Sequence, residues 1–292
     1  MVGPRWGPAK TIENEIMKRG CIMKKFLAVL MSAAMLLSVL ALSGCGGTET
    51  TPPAEDENAK DTGAAAVTTV TEGKLTVSTN AQFPPYEMVA DNGEFEGIDI
   101  EVAQAIADKM GLELVVDDMD FDGALLAAQN GKSDMVMAGV TVTDERLKVM
   151  DFSDTYAEGI QSIIVPEDSD IATVDDLAGK TIGTQRGTTG YIYCTDDFGE
   201  DNVIAYDNGL TAVQALNNGQ VDAVVIDNAP AKEFVEANPG LKILDTAYAQ
   251  EDYAIGVAKG NTELLNAING ALEELEADGT LQAIVDKYIT AE

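Results

Sequence analysis

From about Gly73 onward the chain switches repeatedly between two hydrophobic periods, and each switch predicts an element. Residues 74–78 (K-L-T-V-S) alternate apolar and polar positions with the two-residue period of a half-buried strand. Asp99 then stands where it can cap a helix running through Met110. Val102, Ile106 and Met110 share one face of that helix, and Gly111 ends it. Residues 112–116 predict a second strand and 121–129 a helix with Leu125 and Leu126 inward. The apolar run 135–138 predicts a buried strand, and 162–165 the next. After residue 165 the pattern restarts. Strands are predicted over 181–184, 203–206, 221–226 and 241–244, with helices over 190–198, 210–217 and 230–237 between them. A strand over 253–257 precedes helices over 261–277 and 280–288. Strands alternating with helices in this way predict parallel sheets with crossover helices, an α/β fold in two units, each large enough for its own core.

Upstream the pattern carries an address instead of a fold. Met23-Lys24-Lys25 is a short basic region, residues 26–42 are continuously apolar, and Ser43-Gly44-Cys45 follows. The apolar run is shorter than the roughly 20 residues of a membrane span and ends in small residues, as a secretory signal does. The string Leu42-Ser43-Gly44-Cys45 resembles a bacterial lipobox, whose cysteine becomes a diacylglyceryl-bearing first residue. Residues 1–22 precede a complete signal and read as an over-extended start, or else as an unusually long basic region. Residues 46–72, rich in Thr, Pro, Ala and acid, read as a flexible acidic linker. No membrane-spanning pattern follows, so an integral receptor or transporter is not expected.

Composition narrows the chemistry. Of 292 residues, 46% are hydrophobic and 23% charged, as in an ordinary globular protein, but 18 Lys and Arg face 50 Asp and Glu for a formal charge of −32. Such a field repels nucleic acid and anionic membrane surfaces, so neither is an expected partner; solubility alone also accounts for it. The sequence contains no His, which removes His-based triads and His-ligated zinc. No metal and no cofactor are expected. With Cys45 lipidated, Cys194 has no disulfide partner in the mature chain and is expected as a small buried apolar residue.

Ligands of open α/β sheets bind beyond the carboxyl ends of the strands, and five predicted strands end suggestively. The first ends at T-N-A-Q-F-P-P-Y-E (79–87), a rigid Pro-Pro loop presenting Phe83 and Tyr86, either as a lid on the core or to a ligand. The second ends near Asp120-Phe121. The third ends at G-V-T-V-T-D-E-R (139–146), where Arg146 falls in the first turn of a short polar helix. That turn carries partial positive charge, so a cation is disfavoured there. Either Asp144 and Glu145 neutralise it or it faces an external anion. The fourth ends at Q-R-G-T-T-G (185–190), an ordinary strand-to-helix turn or an anion site; it lacks the spacing of a nucleotide loop. The fifth ends at Asp227, a helix N-cap or the counter-charge of a cation. Arg146 with the 188–189 turn suits a carboxylate, Asp227 an ammonium, and Phe83 with Phe121 something apolar between. A free α-amino acid has all three parts.

The strings T-N-A-Q-F-P-P-Y-E, G-I-D-I-E-V-A-Q-A-I-A, A-G-V-T-V-T-D-E-R with M-D-F-S-D-T-Y, G-T-Q-R-G-T-T-G and D-A-V-V-I-D stand in one order across residues 74–288. In them the chain resembles the family 3 extracellular solute-binding proteins, amino-acid receptors of ABC importers. The resemblance implies a two-lobed type II periplasmic-binding-protein fold whose connecting strands cross near 156–160 and 249–253. Lobe 1 would be 73–158 with 251–292, and lobe 2 would be 159–250. It implies that Arg146 pairs with the ligand carboxylate, helped by N–H groups of Thr141 and Thr189 and by Thr188. The ammonium would meet Asp227, the Gly139 carbonyl and the Thr141 hydroxyl, and Phe83 and Phe121 would sandwich the side chain. Tyr86 would add to the aromatic loop. Several relatives place an acid where Asn80 stands, so Asn80 weakens the case for Lys, Arg or ornithine, although Glu87, Asp122 and Glu251 remain available to one. Gln185 is a candidate side-chain reader.

The function these features predict is a lipid-anchored receptor outside the cell membrane, or periplasmic. It would be monomeric, bind a free and polar L-amino acid, and deliver it to an ABC permease with its ATPase. A cyclohexadienyl dehydratase-like enzyme on the same fold and a non-transport surface lipoprotein are the alternatives. The first needs a proton donor in the cleft, such as Glu87 or Glu251. The second is opposed by the intact set Arg146, Thr188 and Asp227.

Overall fold

The computed structural model describes residues 67–289; the signal peptide, Cys45 and most of the expected linker lie outside them. The elements run β1 (Lys74–Thr79), β2 (Gln82–Phe83), β3 (Glu87–Val89), β4 (Phe95–Glu96), α1 (Ile98–Met110), β5 (Glu113–Asp118), α2 (Phe121–Gln129), β6 (Met135–Val136), α3 (Asp144–Val149) and β7 (Met150–Pro166). There follow β8 (Ile182–Gln185), α4 (Thr189–Phe198), β9 (Val203–Tyr206), α5 (Gly209–Asn217), β10 (Ala223–Asp227), α6 (Asn228–Ala237), β11 (Leu241–Ile243), β12 (Ala249–Ala258), α7 (Thr262–Ala277) and α8 (Thr280–Tyr288). One sheet runs β5-β1-β6-β12-β7-β10-β8-β9, with β11 also on β7, and β2-β3-β4 form a small second sheet.

The large sheet has two parallel ends and an antiparallel middle. β5, β1 and β6 are parallel, as are β10, β8 and β9, whereas β12 and β7 pair antiparallel with each other and with their outer neighbours. Each parallel group has its own apolar cores. Leu75 and Val77 pack with Val102, Ile106, Ile268 and Leu272, while Val224 and Ile226 pack with Val213, Leu216 and Phe234. Cys194 is buried among Val165, Ile182 and Val225 with its thiol pushed up to about 12 by burial, the apolar role expected of it. This is the two-lobed α/β architecture anticipated from the alternating pattern.

Several local expectations need correction. β6 is two residues long, because Gly139 turns the chain at φ +55 soon after it. β7 extends through seventeen residues, far beyond 162–165, because β12 pairs along it from Met150 to Gln161. Leu126 is 54% exposed; the buried face of α2 is instead Phe121, Ala124, Ala127 and Ala128. The last residues of the expected linker are held: Val67 packs on the first core, and the Val70 N–H donates to Asp134 at 2.7 Å. Asp99 does not cap α1. Gly97 occupies that position without a side-chain bond, and Asp99 lies fully buried in the first turn.

That displacement gives Asp99 a different task. Its carboxylate accepts from the Gly139 N–H at 2.9 Å and from the Tyr156 hydroxyl at 2.8 Å, tying α1 to the loop after β6 and to β7. Glu87 of β3 is fully buried beside it, and neither of its carboxyl oxygens has a hydrogen-bond partner among the described residues. Burial pushes the Asp99 carboxyl up to about 6; burial and the neighbouring Asp99 push Glu87 well above the usual range. Both groups therefore hold protons in the folded chain that the unfolded chain has already released. Stability falls as pH rises from about 4 through 6 and beyond, by up to about 3 kcal/mol for a two-unit shift. For residues 46–292 we expect Tm at pH 5 to exceed Tm at pH 7.5 by several degrees, and the gap to narrow in Glu87→Gln. Thermal melts across that window check it, and a Tm that rises with pH would overturn it.

Candidate ligand-binding site

The loops at the carboxyl ends of β1, β6, β8 and β10 converge on one cavity. Phe83 and Asn80 reach it from the loop after β1, and Phe121 from the first turn of α2. Gly139, Thr141 and Arg146 come from the segment after β6, and Gln185, Thr188 and Thr189 from the turn into α4. Asp227 comes from the end of β10. Every residue expected as a contact lines it except Tyr86. That ring is buried beneath Phe83, stacked at 5.7 Å between centroids, and meets Tyr253 edge-on at 5.3 Å.

Arg146 owes its position to a short helix. The Thr143 side chain caps α3 by accepting from the Arg146 N–H, and Asp144 and Glu145 fill the first turn, which offsets a cation placed there. The guanidinium leaves the helix altogether. It donates to the Thr141 carbonyl at 2.7 Å and to the Gly187 carbonyl at 3.1 Å, and lies 5.4 Å over the Phe121 ring. Burial lowers its pKa, and Glu251 is the first of the anionic groups opposing that shift. A guanidinium has five N–H donors, so two carbonyls leave several unspent.

Asp227 is the helix cap that the sequence allowed. One oxygen accepts from the Ala229 N–H at 3.0 Å and caps α6; the other accepts from the Ile160 N–H at 2.9 Å and the Tyr253 hydroxyl at 2.7 Å. Burial pushes its carboxyl up to about 6, against the lowering effect of these donors. Thr188 caps α4, accepting from the Tyr191 N–H and donating to the Gln185 carbonyl, so the turn is also an ordinary helix start. Thr189 opens α4, where backbone N–H groups lack intrahelical partners.

Two glycines are required here. A Cβ on Gly139, at φ +55, would meet the Phe83 ring at 2.9 Å; one on Gly187, at φ +73, would collide with the Asp122 carboxylate. Asp122 and Glu251 themselves do not line the cavity. Glu251 supports it from behind, accepting from the Thr141 hydroxyl at 3.1 Å and the Gln161 amide at 2.9 Å. The Thr141 hydroxyl, expected to meet an ammonium, gives its proton to Glu251 and keeps its lone pairs as acceptors. Asn80 and Gln185 are bonded to each other, the Gln185 amide donating to the Asn80 oxygen at 3.0 Å while Asn80 donates to the Met119 carbonyl.

Sequence reasoning missed Gln161, Ile226, Ala138 and Tyr253 as lining residues and held Glu87 only in reserve. Ile226 precedes Asp227 on a strand already recognised, and Ala138 precedes Gly139, so adjacency could have found both. Gln161 and Tyr253 lie inside long strands, where no turn signal marks them.

The model of bacterial extracellular solute-binding proteins, family 3, matches residues 75–291. A probable histidine-binding protein of Neisseria gonorrhoeae is 34% identical over 92% of this chain and 97% of its own length. Among solved structures, an ancestral arginine-binding protein bound to arginine is 46% identical, with a TM-score of 0.70 over 74% of this chain and 98% of that one. An ancestral arginine-binding protein bound to glutamine is 44% identical, with a TM-score of 0.72 over 76% of this chain and all of that one. The fold is that of the type II periplasmic binding proteins, and the family's relatives are amino-acid-binding proteins of ABC transporters rather than enzymes. This chain belongs to the bacterial extracellular solute-binding proteins, family 3.

Proposed function

We propose that the chain is a receptor that closes on one free L-amino acid in this cavity and delivers it to an ABC permease. The observation that carries the proposal is the placement of Arg146 and Asp227 on one cavity, from elements of opposite parallel groups. Arg146 retains donors for a carboxylate, and Asp227, with about four acceptor sites on its two oxygens, retains one for an ammonium. Thr188 and Thr189 add the start of α4 to the carboxylate end, and Phe83 and Phe121 bound the middle. Asn80 and Gln185 border the side-chain end. The lobes are 73–158 with 251–292 and 159–250. They hinge where residues 157–161 pair with 249–253, so a ligand held from both sides favours the closed arrangement.

Magnitudes agree. A micromolar complex needs about −8 kcal/mol, and charge-assisted hydrogen bonds contribute about 1.5–3 kcal/mol each. An Arg146 fork and an Asp227–ammonium contact supply most of that. In a thermal-shift screen of the common L-amino acids, residues 46–292 are expected to gain Tm with one or a few of them, since a ligand of the folded state stabilises it. The absence of any shift would remove the receptor assignment. Arg146→Ala is expected to weaken the best ligand at least a hundredfold in titration calorimetry with circular dichroism unchanged; unaltered affinity would return Arg146 to a structural role.

The address follows from Cys45. Two acyl chains on a processed cysteine anchor stably where one chain does not, and the acidic linker then tethers the receptor to the outer face of the membrane as a monomer. Cys45→Ala is expected to move the protein from the detergent phase to the aqueous phase in a phase-partition experiment. Equal partition of both forms would exclude the anchor.

A further inference from the structure

The cavity's unspent hydrogen-bonding capacity is one-sided. Among the described residues, the buried side-chain atoms without partners include both carboxyl oxygens of Glu87 and the amide oxygen of Gln185, and both residues line the cavity. The Gln185 oxygen only accepts, and both Glu87 oxygens accept once the carboxyl gives up the proton that burial and Asp99 favour. The Gln185 nitrogen is already given to Asn80, which fixes its oxygen as the free end. Resting on the amino-acid reading above, we infer that the ligand's side chain ends in a cation, a guanidinium or an ammonium, received by Glu87 with the Gln185 oxygen beside it.

Charge points the same way. An amino acid's carboxylate and ammonium answer Arg146 and Asp227, which leaves Glu87 as a carboxyl with no counter-charge. The ionisable groups facing it are Asp99 from α1, Asp118 from β5, Tyr86 and Tyr156, none of them basic. A fully buried carboxylate without a partner is costly, and a ligand cation removes that cost. Burial and Asp99 favour a proton on Glu87 when the site is empty, the state a cation would displace. A primary amide fits less well, because its own oxygen would face the Gln185 oxygen and be met only by a Glu87 that keeps its proton, still a buried carboxyl without a counter-charge. A guanidinium offers donors only, in a planar fork that spans two acceptors. Asn80 does not oppose this assignment, since it is spent on Met119 and Gln185.

The test compares L-arginine, L-lysine and L-glutamine by titration calorimetry on the full chain in detergent, wild type and Glu87→Gln. The wild type is expected to bind arginine or lysine at least tenfold more tightly than glutamine. In Glu87→Gln the ratio of that affinity to glutamine's is expected to fall at least tenfold. Glutamine binding as tightly as both cations overturns the inference while leaving the receptor assignment standing. An unchanged ratio in Glu87→Gln also overturns it, by making Glu87 structural. Binding of no amino acid removes both. Should the variant fail to fold, the wild-type ranking alone still decides whether the side chain is cationic.

Discussion

The antiparallel pairing of β7 with β12 is the constraint on which the rest of the structure depends. It is the longest strand contact in the sheet, running from Met150 opposite Ala258 to Gln161 opposite Ala249. Everything parallel hangs on its two edges. Because β12 meets β6 and β7 meets β10, the carboxyl ends of both parallel groups are brought to one place. The same two strands carry the groups that brace the site from behind. Tyr253 hydrogen-bonds Asp227, Glu251 holds Thr141 and Gln161, and the Ile160 N–H donates to the same Asp227 oxygen as Tyr253. The connecting strands are therefore also the support behind the cavity's charged groups, and a change in their pairing would be felt at Asp227 directly.

The site's charged groups are held by backbone more than by each other. Arg146 donates to two carbonyls and Asp227 accepts from two backbone N–H groups, and among the described residues no hydrogen bond or ion pair joins the two side chains. An intramolecular Arg–Asp pair would satisfy both charges and leave little for a ligand. Fixing each on backbone dipoles instead keeps it desolvated, oriented and incompletely paired. The Gly187 carbonyl has a second consequence. It belongs to the turn after β8, whereas Arg146 and Thr141 follow β6, so the guanidinium already bridges the two parallel groups. A ligand carboxylate would enlarge a contact that exists rather than create one.

Much of the fold was legible because it obeys local rules. α2, α8 and β9 fall on their predicted bounds, each being a short amphipathic or alternating segment between turn signals. The long connecting strands were not legible. Ser153, Gln161 and Glu251 are polar and buried, and each has a hydrogen-bond partner across the β7–β12 region far away in sequence, so no period betrays them. Asp99 was misread for a related reason. A sequence places a helix start to within one or two residues, and two residues separate the cap position, Gly97, from Asp99 and its buried tie to Gly139 and Tyr156. In the site, residues at strand ends were readable as types suited to a carboxylate and an ammonium. Whether Asn80 or Glu87 keeps unspent atoms in the cavity was not, because that depends on which side chain already has partners in the fold.

Arg146 shows how a local anomaly is resolved by three-dimensional cost. In the first turn of α3 a cation is unfavourable by about 0.3–1 kcal/mol, and Asp144 and Glu145 beside it compensate. Neighbours thus neutralise the helix end, as one of the two sequence explanations had it, and the guanidinium itself leaves the helix for two backbone carbonyls. Burial lowers its pKa, yet a guanidinium cannot lose its proton in any accessible range. The chain is left with a permanent, partly desolvated cation resting against an aromatic face and two carbonyl dipoles. Two neutral acceptors stabilise it less than one carboxylate would. That unmet difference is what an incoming carboxylate can collect, with the reorganisation already completed in folding.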